Sequence, residues 1–160
     1  MSPDGDGIDL ETSLGYLLKE AASALRAAMD DALRPLGMTI THYSCLELLA
    51  QRPGLSNSEL ARGAFVTRQS MNVLLQSLEE AGVVERPAEA RVGRALPAQL
   101  TDTGRRQLAA ATTAVRAVEV RMLGDLDPDE QGAVRRALRA MVASLRGEDE
   151  PRDGGRAPAV

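Results

Sequence analysis

Arg68, Gln69, Asn72 and Gln76 recur at spacings of one, three and four residues, with Thr67 and Ser70 beside them. On a helix they lie away from an apolar stripe of Met71, Leu74, Leu75 and Leu78 at i, i+3, i+4 and i+7. This set suits the edges of base pairs: Asn and Gln pair bidentately with adenine, Arg does so with guanine, and hydroxyls reach phosphate or base. A solvated helix face is polar too. Such a face more usually carries Glu and Lys pairs, however, and here Glu79 and Glu80 are held at the far end. Arg86, Arg91 and Arg94 follow closely, a residue type that contacts phosphate or enters a minor groove. For Arg91 a solubilising loop is a competing reading.

These residues need short elements to hold them. Ser56-Asn57-Ser58-Glu59 has the pattern of a capping box, with Leu60 and Ala61 facing inward and Gly63 as the stop. Ser56, at the head of that helix, joins the candidate DNA-contacting residues. Thr67 is a good N-cap for the next helix, and Gly82 sits where a left-handed residue would end it. Val83-Val84-Glu85-Arg86 is then β-prone, Pro87 to Gly93 holds turn residues, and Arg94 to Leu100 can return as a partner strand. Pro97 confines that strand to an edge, and a two-stranded hairpin must lean on helices to persist. Helix, turn, helix and hairpin in this order predict a winged helix-turn-helix over residues 39–101, a shape that enters double-stranded DNA.

Long helical segments flank this unit, at 8–34 and 102–146. Leu10, Leu14, Leu17, Leu18, Ala21, Leu25, Ala28, Met29, Ala32 and Leu33 form a broad stripe, and Leu108, Ala111, Val115, Val118 and Met122 alternate at three and four like a coiled-coil seam. Asp127-Pro128-Asp129-Glu130 starts a last helix with cap, N1 proline and N3 carboxylate in the preferred places, and Val134, Leu138, Met141, Val142 and Leu145 are expected along its inner face. This is more apolar surface than a small domain covers, which predicts a homodimer on a pseudo-palindromic operator. The fold class is mainly α with a small β-hairpin wing, one domain over residues 8–146. Residues 1–7 and 147–160 are expected to be disordered ends.

At the level of motifs the chain resembles the MarR (multiple antibiotic resistance regulator) transcription factors. The resemblance is carried by Met38-Thr39-Ile40-Thr41-His42-Tyr43 with Leu46-Glu47-Leu48-Leu49, then Gly54-Leu55-Ser56-Asn57-Ser58-Glu59-Leu60-Ala61. It continues in Val66-Thr67-Arg68-Gln69-Ser70-Met71-Asn72, in Leu78-Glu79-Glu80-Ala81-Gly82-Val83-Val84-Glu85-Arg86, and in Leu100-Thr101-Asp102-Thr103-Gly104. It implies a homodimer whose helix from Thr67 lies in the major groove while the wing reaches the minor groove. Two departures stand out. The family's wing carries Asp-x-Arg, whereas here Arg91-Val92-Gly93-Arg94 has no aspartate, which makes Arg94 the better wing contact. The turn before the recognition helix commonly has glycine where this chain has Phe65, whose side chain is expected to pack under the turn.

Composition bounds the function. A chain of 160 residues fits one ordinary domain, and with no Trp, two Tyr and one Phe it has no platform for stacking single-stranded bases. The net charge is −4, yet residues 62–106 carry seven basic and five acidic groups, the only positive third. No apolar run approaches the ~20 residues of a membrane span, and the start lacks a basic signal region, so a cytoplasmic protein is expected. One histidine, no phosphate-cradling glycine motif and no convergent carboxylates argue against an enzyme, and no cofactor or metal is expected.

His42-Tyr43-Ser44-Cys45 stands where the dimer region meets the DNA-binding region. The resemblance places an effector pocket at that junction, which implies a small anionic or aromatic ligand near Arg26, His42, Tyr43 and Cys45. Core packing of Tyr43, a structural His42 and a buried Cys45 compete with this reading. Cys45 as an oxidant sensor would need an accessible thiolate of low pKa. Two classes of function therefore stand: a dimeric transcriptional regulator, usually a repressor in the resembling family, or a helical ligand-binding or protein-interaction module without an operator.

Overall fold

The structure, a computed structural model, describes residues 7–87 and 97–147. The chain divides into two compact units after Glu119. Helix α1 (Leu14–Leu33) starts later than the periodicity predicted. Asp9 explains the delay: its carboxylate accepts from the Glu11 amide and the Thr12 hydroxyl and its carbonyl from the Ser13 amide, a local turn that competes with helix. Ser13 then caps α1 by accepting from the Tyr16 amide at 3.3 Å. Leu33 is the buried residue of this helix, and Leu14, Leu17 and Leu18 lie exposed. A short 3-10 turn, Arg34–Leu36, and Gly37 at φ +68° reverse the chain into α2 (Ile40–Gln51), which is capped by Thr39.

Helices α3 (Asn57–Gly63) and α4 (Arg68–Glu80) form the helix-turn-helix. The capping box at Ser56 and Glu59 is closed in both directions, at 3.3 and 2.7 Å. Gly63 does not act as the left-handed stop; it is the last helical residue, and its missing Cβ makes room for Leu48, whose Cδ1 would stand 2.9 Å from one. The left-handed position belongs to Phe65, at φ +57°. Leu46 and Leu49 of α2, Leu60 and Ala61 of α3, and Met71, Leu75 and Leu78 of α4 close one apolar core, with Leu74 half-buried at its edge. Each fully buried leucine or methionine adds about 1.5–3 kcal/mol, so this core far outweighs any single cap.

Gly82 takes φ +70°, the Gly82 and Val83 amides donate back to Glu79 and Leu78 carbonyls, and the chain enters β1 (Val84–Glu85). Strand β1 pairs antiparallel with β2 (Gln99–Leu100), Val84 opposite Leu100 and Glu85 opposite Gln99. Val84 and Leu100 are buried, which roots the hairpin on the helices as a two-stranded ribbon requires. Helix α5 (Asp102–Leu123) leaves directly from β2, with Ala111, Val115 and Val118 buried along its seam and Met122 exposed.

In the second unit, α6 (Pro128–Arg146) has its expected capping box at Asp127 and Glu130 and ends on Gly147 at φ +68°. Gly147 is thus a helix cap and not the first residue of a tail. The expected inner face is corrected as well: no residue of α6 is buried, and Val134, Leu138 and Val142 are each more than two-fifths exposed. Among the described residues, no helix is long and apolar enough to cross a membrane.

Candidate nucleic-acid interface

Thr67 does two things at the head of α4. Its Oγ1 accepts from the Ser70 amide at 3.1 Å and donates to Ser70 Oγ at 2.8 Å, which caps the helix and ties down both hydroxyls. Arg68, Gln69, Asn72 and Gln76 are all exposed, as the periodicity predicted, because Met71, Leu75 and Leu78 pin the opposite side. Gln76 reaches along the helix to Glu80 at 3.3 Å. Val73, 65% exposed, lies between Gln69 and Gln76 at helical spacings of four and three. The sequence reading missed it because a lone valine outside the apolar stripe carries no periodic signal.

Asn72 is held by a chain of side chains from three elements. Glu79 Oε1 accepts from Arg86 Nε at 2.6 Å, Arg86 Nη2 donates to Asn57 Oδ1 at 3.3 Å, and Asn57 Nδ2 donates to Asn72 Oδ1 at 2.8 Å. Arginine has donors only, so it sets the amide of Asn57, and Asn57 in turn sets that of Asn72. The amide of Asn72 therefore meets its protein partner through its oxygen and offers N–H donors outward. This orientation suits the acceptors N7 and O6 of guanine, N7 of adenine or O4 of thymine. Arg86 was expected to project with the wing arginines. Instead it is part-buried against α3 and α4, because the pairing of β1 sets it beside Glu79 and Asn57. Asn57 was missed as a site residue; it reads as an ordinary member of a capping sequence, and only the fold brings it to Asn72, 15 positions away. Arg91 and Arg94 lie outside the described residues.

The turn that delivers α4 departs from expectation. Phe65 does not pack under it but stands 85% exposed, two residues before Thr67. Ser56 keeps its exposure while its Oγ accepts from the Glu59 amide. The Glu59 carboxyl is held below the usual carboxylate range by hydrogen bonds from the backbone and side chain of Ser56.

Comparison with known proteins bears on this arrangement directly. The model of the MarR family matches residues 36–95. The HTH-type transcriptional repressor Rv2887 of Mycobacterium tuberculosis is 46% identical over 132 residues, covering 82% of this chain and 95% of that protein. This chain belongs to the MarR family. Among solved structures, the same M. tuberculosis protein in complex with salicylic acid aligns with a TM-score of 0.69 at 45% identity, covering 81% of this chain and 96% of that one. Its complex with DNA aligns at 0.68 and 43% identity, covering 81% and 98%.

In this MarR-family chain the junction cluster is only partly assembled. His42 Nε2 is buried with no hydrogen-bond partner among the described residues, and burial holds the imidazole below its ordinary pKa. Tyr43 lies half-buried beside Glu47, to whose carboxylate Thr112 of α5 donates at 3.5 Å. Desolvation first, and then the charge of Glu47, raise the Tyr43 phenol. Cys45 is fully buried and its thiol is pushed up to about 12 by desolvation, the opposite of what an oxidant sensor needs. Arg26 is exposed on α1 and forms no hydrogen bond or ion pair with His42 or Tyr43 among the described residues.

Proposed function

We propose that this protein is a homodimeric, sequence-specific regulator of transcription that binds double-stranded DNA through α4 and represses until a small effector releases it. The observation that carries the reading is the exposed row Arg68, Gln69, Asn72 and Gln76 on a helix whose other side is buried, with Asn72 oriented by Asn57 and Arg86. Similarity to a repressor crystallised with DNA and with salicylic acid supports both halves of the proposal. The proposed DNA-contacting set is Ser56, Thr67, Arg68, Gln69, Ser70, Asn72 and Gln76, joined by Arg91 and Arg94 of the wing. Arg86 acts behind them as a positioning residue.

The dimer accounts for the uncovered apolar faces. Leu14, Leu17 and Leu18 of α1 and Val134, Leu138 and Val142 of α6 each remain at least 40% exposed. We assign α1, α5 and α6 to dimerisation, residues 39–101 to the winged helix-turn-helix, and the action of the protein to the cytoplasm, with no catalytic step. An aromatic carboxylate is the effector chemistry that fits best: the buried His42 Nε2 supplies a polar atom with no hydrogen-bond partner among the described residues, and a solved relative is in complex with salicylic acid.

The test is binding to a duplex taken from the DNA flanking the protein's own gene, followed by fluorescence anisotropy across a salt series and with added salicylate. Nanomolar binding that falls steeply with salt and weakens with salicylate is the expected result. No binding at low salt would overturn the regulator; binding untouched by a panel of aromatic carboxylates would overturn the effector.

A further inference from the structure

We infer that Phe65 is a specificity-determining residue of this interface, its phenyl ring resting on the C5-methyl group of a thymine in the operator. The inference rests on the DNA-binding reading above and adds an apolar contact to its polar ones.

Two independent observations meet at this residue. The backbone is one. Ala64 and Phe65 end α3 with the Phe65 amide donating to the Arg62 carbonyl at 3.2 Å and the Val66 amide to the Ala61 carbonyl at 3.0 Å, a double closure in which the second-last position must be left-handed. Phe65 fills that position at φ +57°, and it is the one residue other than glycine with positive φ among those described. The four left-handed glycines, Gly37, Gly54, Gly82 and Gly147, show what this chain ordinarily places in such a conformation. A bulky side chain there is unfavourable for folding, since its Cβ crowds the following carbonyl. Packing does not compensate for it.

Exposure is the other observation. Phe65 is 85% exposed, although it is one of only three aromatic residues in the chain. A ring that is costly in the backbone and unused in the core is explained by something outside the chain. Its place says what that is. It precedes the cap Thr67 by two residues, at the end of α4 whose side chains contact base edges in a helix-turn-helix. A phenyl ring has no hydrogen-bonding group, and the one apolar group that major-groove edges offer is the thymine methyl. Gln69 and Asn72 read donors and acceptors, and Phe65 reads that methyl.

Because strain and contact are separable, Phe65→Gly distinguishes them. We expect Phe65→Gly to melt at or above the temperature of the wild-type protein, since glycine relieves the left-handed strain, and yet to bind the operator more weakly. Phe65→Asn, which tolerates the same conformation, is expected to behave alike. An operator in which thymines are replaced one at a time by deoxyuridine then locates the contact. At one symmetric position the wild-type protein should lose about fourfold in affinity per half-site, about fifteenfold when both halves are changed. The Phe65→Gly protein should lose nothing at that position. Equal affinity of Phe65→Gly and wild type would overturn the inference. So would a lowered melting temperature, which would make the ring structural, or a deoxyuridine scan identical in both proteins. Failure of the wild-type protein to bind the unmodified operator is a separate outcome that removes the DNA-binding reading itself.

Discussion

Replacing Gly104 by alanine sets two effects of opposite sign against each other, and the structure decides which prevails. Alanine favours a helix over glycine by about 1 kcal/mol, and Gly104 lies in the first turn of α5. Against this, a Cβ on Gly104 would stand 2.2 Å from the carbonyl oxygen of Val83, a backbone atom that cannot swing aside. Ordinary contact begins near 3.4 Å, so the start of α5 would have to withdraw by about 1 Å. The same oxygen accepts from the Thr101 amide at 3.1 Å and shares the Thr101 hydroxyl, at 3.0 Å, with the Gly82 carbonyl, while Thr101 Oγ1 accepts from the Gly104 amide at 3.1 Å. Weakening three such bonds at roughly 1 kcal/mol each outweighs the helix gain and leaves a net loss of about 2 kcal/mol. For a chain of this length that corresponds to a fall of about 4–8 °C in melting temperature. Circular dichroism at fixed protomer concentration measures it. Gly132→Ala is the control: its Cβ would meet only the flexible end of Arg136, at 3.4 Å, and it should melt at or above wild type. If Gly104→Ala melts with or above wild type, the close approach of α5 to the Val83 carbonyl does not constrain stability.

Asn57→Ala removes the partner that orients Asn72 without deleting a proposed base contact; operator affinity should fall about three- to tenfold, by anisotropy, at unchanged salt slope. A loss equal on operator and random DNA would contradict the positioning role. Cys45, buried and held protonated, should resist a thiol-specific chromogenic disulfide at pH 8 until the protein is denatured, and Cys45→Ser should respond to peroxide as wild type does. Prompt labelling of the native protein would refute the burial argument. His42 has its pKa lowered by burial, so the unfolded chain binds the extra proton more readily. Stability from this residue is therefore complete above pH 6.5 and is lost as pH falls below it, towards the depressed folded value. Denaturant midpoints measured before the carboxylates titrate should show this slope in wild type and not in His42→Gln.

The helix-turn-helix was legible because its signals are local. A capping box, a threonine cap, a 3.6-residue apolar stripe and a left-handed glycine each act over four or five residues, and Ser56, Thr67, Met71, Leu75, Leu78 and Gly82 stand in the structure as they read in the chain. Local signals also misled. The leucine stripe suggested a helix from residue 8, but Asp9 offers the backbone a competing turn, and α1 waits for Ser13. Gly63 read as a stop and proved to be a space for Leu48, while the left-handed residue two positions on is a phenylalanine that no propensity favours there.

From sequence alone came the family, the class of fold and the exposed row on α4, since periodicity specifies which side of a helix is buried whatever lies beneath it. Tertiary structure alone decided what those side chains can offer. It joined Asn57 to Asn72, drew Arg86 away from the wing to Glu79, turned Phe65 out into solvent, and left α6 without a buried residue. The reason is physical: a hydrogen bond across 15 or 29 positions, or an apolar face left uncovered, depends on where separate elements come to rest, and no spacing within one element records that.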